Sequence, residues 1–307
     1  MKLFSGSSHL PLAKEVASLI QLPLSKAEVL RFGNSEVKVT IQESVKNEDC
    51  VVIQPTTNPT DTHLIELAFF CDALRREEAR KVIAVIPYFG YAKQNIQHRQ
   101  GECVSVNVVV HLLEAVGFSK VYTCDIHDEA TGGAFMIPFR NLSAFPYLAT
   151  YVRTYFKKSG VDLSNVALVS PDQGAVEKVR IFGTEFFGSR TFSEVVIEKH
   201  RDQNIAHKAE PLALYGDVKG KTVIIVDDMV VSGSTLIPAI DLCLKKGAKA
   251  VYGAVVHHDF TTEASKILES SKLVRFFTTN TIHLKKDQTF SKLDEVSIAP
   301  LLAKELK

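Results

Sequence analysis

The chain has 307 residues, and 46% of them are hydrophobic, which is enough for one large domain or two ordinary domains with separate cores. Its 36 basic and 35 acidic residues give a formal net charge of +1, so no overall field attracts nucleic acid or an acidic membrane surface. We therefore expect neither of those partners, and an anionic substrate must be held by a local group of donors.

The cysteines favour a reducing compartment. There are five, they are widely spaced, and none form a C-x-x-C pair: Cys50, Cys71, Cys103, Cys124 and Cys243. An odd, scattered set is typical of free thiols in a cytosol and argues against a disulfide framework or a zinc site. The sequence shows no signal peptide and no run long and apolar enough to cross a bilayer, so we expect a cytoplasmic protein.

Short apolar runs alternate with amphipathic segments in the first half of the chain. The predicted strands are Lys2–Phe4, Val29–Phe32, Val37–Ile41, Val51–Gln54, Val82–Pro87 and Val121–Cys124. The predicted helices between them are Leu10–Ile20, Asp61–Arg75 and Ser105–Val116. The run Val82–Ile86 is apolar on both faces, which is typical of a parallel sheet covered by helices on each side.

The second half repeats this pattern. Its predicted strands are Val166–Val169, Phe186–Phe187, Val195–Ile197, Val223–Val226, Ala250–Val256 and Val274–Phe277, with a helix Leu236–Lys246 that ends at Gly247. Polar and turn residues near Arg140–Phe145 predict the boundary. We expect an α/β protein of two domains, residues 1–144 and 145–307, each a mainly parallel sheet flanked by helices. A short closing helix, Ile298–Lys307, could pack on the first domain.

The strongest local signal is a strand that runs into two acids, then a hydroxyl-rich loop, then a helix. Asp227 and Asp228 supply acceptors where ribose hydroxyls would lie at the carboxyl end of a strand. Backbone N–H groups of the loop and the positive end of the following helix suit a phosphate, and the loop residues are Ser232, Gly233, Ser234 and Thr235. The adjacent acids favour this site over an ordinary strand–turn–helix junction.

Two further segments follow strands and carry candidate metal ligands. His127 follows Val121–Cys124, and Asp172 follows Val166–Val169. A Mg²⁺ ion that bridges phosphates needs only one or two protein ligands, which these residues could provide. Taken alone each segment is also typical of a turn, since Pro-Asp-x-Gly is a common β-turn pattern.

A run of cations, Lys199-His200-Arg201, follows the strand Val195–Ile197. Such a triplet is most often only solvated. The functional interpretation is a cationic arm that neutralises the charge of a polyphosphate transition state.

The first half carries a candidate nucleotide site. Phe32, Asn34 and Glu36 could stack on a purine and bind its amine, and Lys93 could meet phosphates. The alternative for Phe32 is packing in the core.

In order and over nearly the whole chain, these motifs resemble the ribose-phosphate pyrophosphokinase family. The similar segments are Arg31–Glu36, Pro87–Gln94, Asp125–His127, Ser170–Gly174, Lys199–Arg201, Gly216–Lys221, Val226–Met229 and Thr279–Ile282. Each segment alone is weak, and together they are specific.

The resemblance implies transfer of the terminal diphosphate of ATP to ribose 5-phosphate by two phosphoribosyltransferase-like domains, the first on the ATP side, in a homo-oligomer. It implies Mg²⁺ as cofactor, bound by His127 and Asp172. It also implies catalytic cations at Lys199 and Arg201. The implied ATP positions are Asn34, Glu36, Lys93 and Gln94, and the implied ribose 5-phosphate positions are Asp227 and Ser232–Thr235.

The sequence departs from the family pattern at a few of these places. The family usually has Arg at Lys93, Asp at Val231 and Gly at Ser234, and Lys cannot clamp a phosphate in the bidentate manner of Arg. Two alternatives remain open at this point. One is a phosphoribosyltransferase, and the other is a non-catalytic regulatory homologue of the enzyme.

Overall fold

The computed structural model describes residues 1–201 and 209–307, without the side chains of residues 199–201 and 209–212. Its contacts divide the chain into two units. The first comprises Met1–Ser143, Thr281–His283 and Ser297–Lys307, and the second comprises Ala144–Asn280 and Leu284–Val296. No helix of the described residues is long and apolar enough to cross a membrane.

The first unit contains a five-stranded parallel sheet in the order β1-β4-β5-β6-β7 and an antiparallel hairpin, β2-β3. The strands are β1 Lys2–Ser5, β2 Ala27–Arg31, β3 Val37–Ile41, β4 Asp49–Ile53, β5 Lys81–Ile86, β6 Lys120–Cys124 and β7 Phe139–Leu142. The helices are α1 Leu10–Ile20, α2 Thr60–Arg76, α3 Ser105–Val116 and α8 Ala299–Leu306.

The second unit contains a seven-stranded sheet in the order β10-β9-β8-β11-β12-β13-β14, in which only the β9–β10 pairing is antiparallel. The strands are β8 Val166–Ser170, β9 Ser193–Arg201, β10 Ala209–Tyr215, β11 Thr222–Val230, β12 Ala250–His258, β13 Phe276–Thr279 and β14 Leu293–Val296. The helices are α4 Phe145–Lys158, α5 Val176–Phe187, α6 Leu236–Lys245 and α7 Ala264–Ser270. The predicted fold class, mainly parallel sheets flanked by helices, is confirmed.

Local sequence explains where the helices begin and end. In α1 the buried residues Leu12, Val16 and Ala17 recur at helical spacing, and the His9 side chain accepts a hydrogen bond from the Leu12 N–H at 3.3 Å. Helix α3 ends at Gly117, whose φ of 105° lies in the left-handed region that glycine adopts without strain. The predicted bounds of both helices, Leu10–Ile20 and Ser105–Val116, are confirmed.

One predicted strand is wrong. Phe186 and Phe187 end helix α5 and are not extended. Val179, Phe182 and Phe186 recur at helical spacing and are fully buried, and Gly188 closes the helix in the left-handed region. Two adjacent phenylalanines suggest a short strand, but the longer helical period decides the structure here. Strand β11 also continues four residues beyond the predicted end at Val226.

A close approach fixes the position of α5. A Cβ atom added at Gly183 would lie 2.3 Å from the Phe192 ring, and Phe192 immediately precedes β9. Although alanine has the higher helix propensity, we expect Gly183→Ala to destabilise the protein by about 1–3 kcal/mol, because the ring must move. Thermal unfolding measures the loss. Thr184→Ala on the exposed face of α5 is the control, and an equal melting temperature in the two variants would contradict the prediction.

Candidate functional site

The candidate residues of the second unit gather at one edge of its sheet. Strands β8, β9 and β11 are parallel neighbours, with Ile225 beside Val169 and Ser170 beside Val196. Their carboxyl ends therefore meet at the same edge, where open α/β sheets bind ligands. Asp172, Asp227 and the backbone of Lys199 all lie there. The side chains of Lys199 and Arg201 lie outside the described part of the chain.

The two acidic residues of β11, Asp227 and Asp228, are linked by a hydrogen bond. The Asp228 backbone N–H donates to the Asp227 carboxylate at 2.9 Å, and the Lys178 ammonium group lies 3.1 Å from the Asp228 carboxylate. Asp227 is half-buried and Asp228 is 3% exposed. Burial, followed by the charge of Asp228, raises the pKa of Asp227 well above its ordinary value. The oxygen atoms of both carboxyl groups can accept hydrogen bonds from sugar hydroxyls.

The loop after β11 has the form of an anion site. Gly233 has a φ of 82°, and its carbonyl accepts the Ile237 N–H at 2.9 Å, which starts the helical pattern of α6. The Ser232 hydroxyl bonds to the Ser234 hydroxyl at 3.0 Å, which orients both within the loop. Thr235 stands at the N-cap position, and its side chain does not cap the helix within the described contacts. A phosphate there would meet hydroxyls and the positive end of α6.

Asp172 lies in the turn that its Pro-Asp-x-Gly pattern predicts. Its carboxylate caps the short 3₁₀ segment Gln173–Ala175 by accepting the Ala175 N–H at 3.2 Å. A carboxylate has several acceptor positions, so capping leaves the side chain able to ligate a cation. The turn and the metal site are therefore compatible interpretations.

In the first unit, two segments also meet at the carboxyl edge of a parallel sheet. Strands β5 and β6 pair with Ile86 beside Thr123, and the segments that follow carry Lys93 and His127. The Asn95 amide donates to the Asp128 carboxylate and joins the two segments. The sequence signals alone did not reveal this contact.

The His127 loop is held by side chains at the end of β7 and just after it. Asp125 adopts a positive φ of 36°, and its carboxylate accepts the Ser143 hydroxyl at 2.9 Å. The Ile126 N–H donates to the Asn141 side chain at 3.0 Å. His127 itself is half-buried, so the loop presents its ring from a fixed backbone.

Two predicted ATP positions differ in their surroundings. The Gln94 carboxamide oxygen accepts the Ser105 hydroxyl, and the Gln94 carbonyl accepts the Val106 N–H at 3.3 Å. Gln94 therefore fastens the start of α3. Lys93 is exposed beside it.

The tip of the β2–β3 hairpin is solvent-accessible. Phe32 is 47% exposed, so the alternative that it packs in the core is wrong. Asn34 accepts the Glu36 N–H at 3.2 Å, which shapes the turn. The described hydrogen bonds of the tip join residues of the tip to one another. Arg31 forms an ion pair with Glu66 of α2 at 3.9 Å. None of these described contacts connects the tip with Lys93.

The donor chemistry fits Mg²⁺ bound mainly through a substrate. Among the described residues, no three His, Cys, Asp or Glu side chains gather as a metal-ligand group. Asp172 supplies the hard oxygen that Mg²⁺ prefers, whereas the nitrogen of His127 is more typical of a softer metal. One or two protein ligands are sufficient when phosphates and waters complete the shell.

Comparison with known proteins identifies relatives over the full chain. A family model described as the N-terminal domain of ribose phosphate pyrophosphokinase matches residues 1–117, and one described as a phosphoribosyl synthetase-associated domain matches residues 188–307. The ribose-phosphate pyrophosphokinase of Wolinella succinogenes is 36% identical over 306 residues, which cover 100% of this chain and 94% of the relative. Its namesake in Bacillus caldolyticus is 34% identical, with coverage of 100% and 93%.

A solved structure shows the same similarity. The crystal structure of phosphoribosylpyrophosphate synthetase from Mycobacterium smegmatis superposes with a TM-score of 0.90 at 30% identity, covering 99% of this chain and 97% of that chain. The similarity therefore extends over both sheets.

The Asn95–Asp128 contact gives a test in which one variant adds a charge. Asn95→Asp places two carboxylates against each other, so we expect it to be less stable than Asn95→Ala at pH 7 by about 1 kcal/mol. The repulsion exists only while both carboxyl groups are ionised, so the cost is present at pH 7 and disappears as acid protonates the pair. Melting temperatures at pH 7 and near pH 4 measure this, and a pH-independent difference would contradict it.

Replacing Asp227 by Asn should raise the stability of the protein and weaken the binding of the sugar. Because the folded pKa of Asp227 is raised, its ionisation costs stability at any pH above the unfolded value. Asp227→Asn keeps the acceptor for the Asp228 N–H and removes the charge. We expect a higher melting temperature at pH 7, by about 2–4 °C for each kcal/mol relieved, and little difference below pH ~4. Asp241→Asn on the exposed face of α6 is the control, and a lower melting temperature for Asp227→Asn would refute the idea.

Proposed function

Because the chain belongs to the ribose-phosphate pyrophosphokinase family, as its sequence predicts, we propose that it transfers the β,γ-diphosphate of ATP to the anomeric hydroxyl of ribose 5-phosphate. The products are 5-phosphoribosyl 1-diphosphate and AMP. The observation that carries the proposal is the acid pair Asp227–Asp228 followed by the loop Ser232–Thr235 at the carboxyl edge of a parallel sheet. One edge thus offers acceptors for a sugar beside donors for its phosphate.

The ribose site is proposed in the second unit, within residues 145–307. The 5-phosphate would bind the hydroxyls of Ser232 and Ser234 and the N-terminus of α6. Asp227 and Asp228 would accept hydrogen bonds from ribose hydroxyls. Fixing the sugar at both ends leaves its anomeric oxygen as the reactive atom and converts a collision into an oriented attack.

The ATP site is proposed in the first unit, within residues 1–144. Phe32 would stack on the purine, and Asn34 and Glu36 would bind its polar edge. Lys93 would contact phosphates, and Gln94 would position the segment that carries it. The exposure of Phe32 and of Lys93 supports these roles, because both are accessible to a ligand.

A bound Mg²⁺ would neutralise phosphate charge and orient the β-phosphorus. We propose Asp172 in the second unit and His127 in the first unit as Mg²⁺ ligands, each supported by its own surroundings. Asp172 contributes a hard oxygen from a capped turn, and His127 projects from a loop held by Ser143 and Asn141.

The transfer itself balances as a substitution at phosphorus. The anomeric oxygen forms a bond to the β-phosphorus and releases its proton, while the bond from that phosphorus to the oxygen it shares with the α-phosphate breaks, and AMP leaves with the electron pair. Lys199 and Arg201 are proposed to stabilise the charge that develops on the transferred group. Their backbone runs along β9, next to the strand that precedes Asp172.

We also propose a cytoplasmic homo-oligomer, a dimer or higher, that binds ATP and ribose 5-phosphate and neither nucleic acid nor membrane. The near-neutral charge supports the expectation on nucleic acid and membrane, and five cysteines outside any disulfide support the compartment. The homo-oligomer is what the resemblance to the family implies. Gel filtration with light scattering measures the oligomeric state.

The reaction is tested by incubating the protein with ATP and ribose 5-phosphate and measuring AMP. We expect AMP only with both substrates and Mg²⁺. This outcome also separates the proposal from a phosphoribosyltransferase and from a non-catalytic homologue, neither of which forms AMP from this pair. Wild-type protein that folds and forms none would refute the proposed function.

Lys199 provides the matched mutational test. Lys199→Ala should lower turnover by about a hundredfold or more, because electrostatic stabilisation of the transition state is lost. Lys158→Ala, an exposed lysine at the end of α4, controls for loss of positive charge in the same unit. Equal rates of AMP formation in the two variants would remove Lys199 from the mechanism.

A further inference from the structure

We propose that Lys178 is a positioning residue of the ribose site. In this proposal the ammonium group of Lys178 holds the carboxylate of Asp228 in the orientation that accepts a ribose hydroxyl. The proposal rests on the proposed function, since it concerns how the same site is organised. It assigns a role to a side chain that none of the sequence motifs includes.

The contact has the character of an internal pair. The Lys178 Nζ atom lies 3.1 Å from the Asp228 Oδ2 atom, and the two side chains are 18% and 5% exposed. By contrast, the Arg76–Asp72 pair on α2 has side chains that are 78% and 57% exposed. Water screens an exposed pair and leaves its side chains mobile, whereas a pair shielded from water restricts both partners strongly.

The position of Lys178 on its helix needs an explanation beyond helix stability. Lys178 is the third residue of α5, and a cation in the first turn is opposed by the positive end of the helix dipole. The fully buried residues Val179 and Phe182, one and four positions after Lys178, anchor the helix in the core. The helix is therefore fixed in place while it presents a cation to the end of β11.

Lys178 also offsets a concentration of negative charge. The charges of Asp228 and Asp172 raise the pKa of Asp227, whereas the charge of Lys178 lowers it. Without a neighbouring cation, the carboxyl groups of Asp227 and Asp228 would repel each other when both are ionised. One lysine beside the most buried of them keeps Asp227 and Asp228 together as a pair of acceptors.

Steady-state kinetics with each substrate varied in turn tests the role. For Lys178→Met we expect KM for ribose 5-phosphate to rise about tenfold or more, because a charged hydrogen-bond partner is lost. KM for ATP should change by less than about twofold, and Lys178→Arg should restore most of the ribose 5-phosphate affinity. Arg180→Met is the control, since Arg180 lies on the same helix, is 56% exposed and pairs with Glu194.

A double variant keeps the test decisive if Lys178→Met folds poorly. Removing Lys178 alone leaves a buried carboxylate without its cation, whereas Asp228→Asn with Lys178→Met removes both charges. If Lys178 acts through Asp228, the double variant should bind ribose 5-phosphate about as well as Asp228→Asn alone, as measured by calorimetry. Markedly weaker binding by the double variant would overturn the proposal.

The wild-type protein separates this inference from the proposed function. Wild-type protein that neither binds ribose 5-phosphate nor forms AMP would refute the proposed function, and this inference with it. Wild-type activity together with an unchanged KM for ribose 5-phosphate in Lys178→Met, or with equal rises in both KM values, would overturn the role of Lys178 alone.

Discussion

Placing two consecutive carboxylates near the end of a buried strand is the constraint on which the second unit depends. Successive side chains of a strand point to opposite faces, so the sheet must satisfy acids on both sides. The Asp228 backbone N–H donates a hydrogen bond to the Asp227 carboxylate, and the Lys178 ammonium group forms an ion pair with Asp228. The position of α5, the capped turn at Asp172 and the loop that leads into α6 all surround this arrangement.

In the first unit, the side chains that hold the candidate segments in place are neutral hydrogen-bond donors. Its candidate segments follow neighbouring parallel strands, and amide and hydroxyl side chains fasten them: Asn95 to Asp128, Ser105 to Gln94 and Ser143 to Asp125. These bonds fix backbone segments and leave the exposed Lys93 and half-buried His127 on a rigid support. Rigid support at a sheet edge is what oriented binding requires.

Sequence patterns predicted the fold class because apolar runs and helical spacing are local properties. They identified α1 and α3 residue by residue, the acids of β11 and the relatives of the chain. They failed at Phe186–Phe187, where two aromatic residues hid a longer helical period. That error also concealed Lys178, because a lysine matters to the site only once its residue is known to lie on a helix facing β11. Contacts between distant segments, such as Asn95 with Asp128, carry no local signal and needed the structure.

The path of the chain between the units has a consequence for dissecting the protein. The chain leaves the first unit after Ser143, returns to it briefly at Thr281–His283 and ends in it with α8. That helix packs on α1, and Glu305 lies 3.4 Å from the Arg140 guanidinium group of β7. A gene fragment that stops at residue 143 therefore lacks part of the fold it is meant to encode, and the second unit is an insertion within the first. Exchange of either unit between relatives would have to preserve all four crossings of the chain between the units.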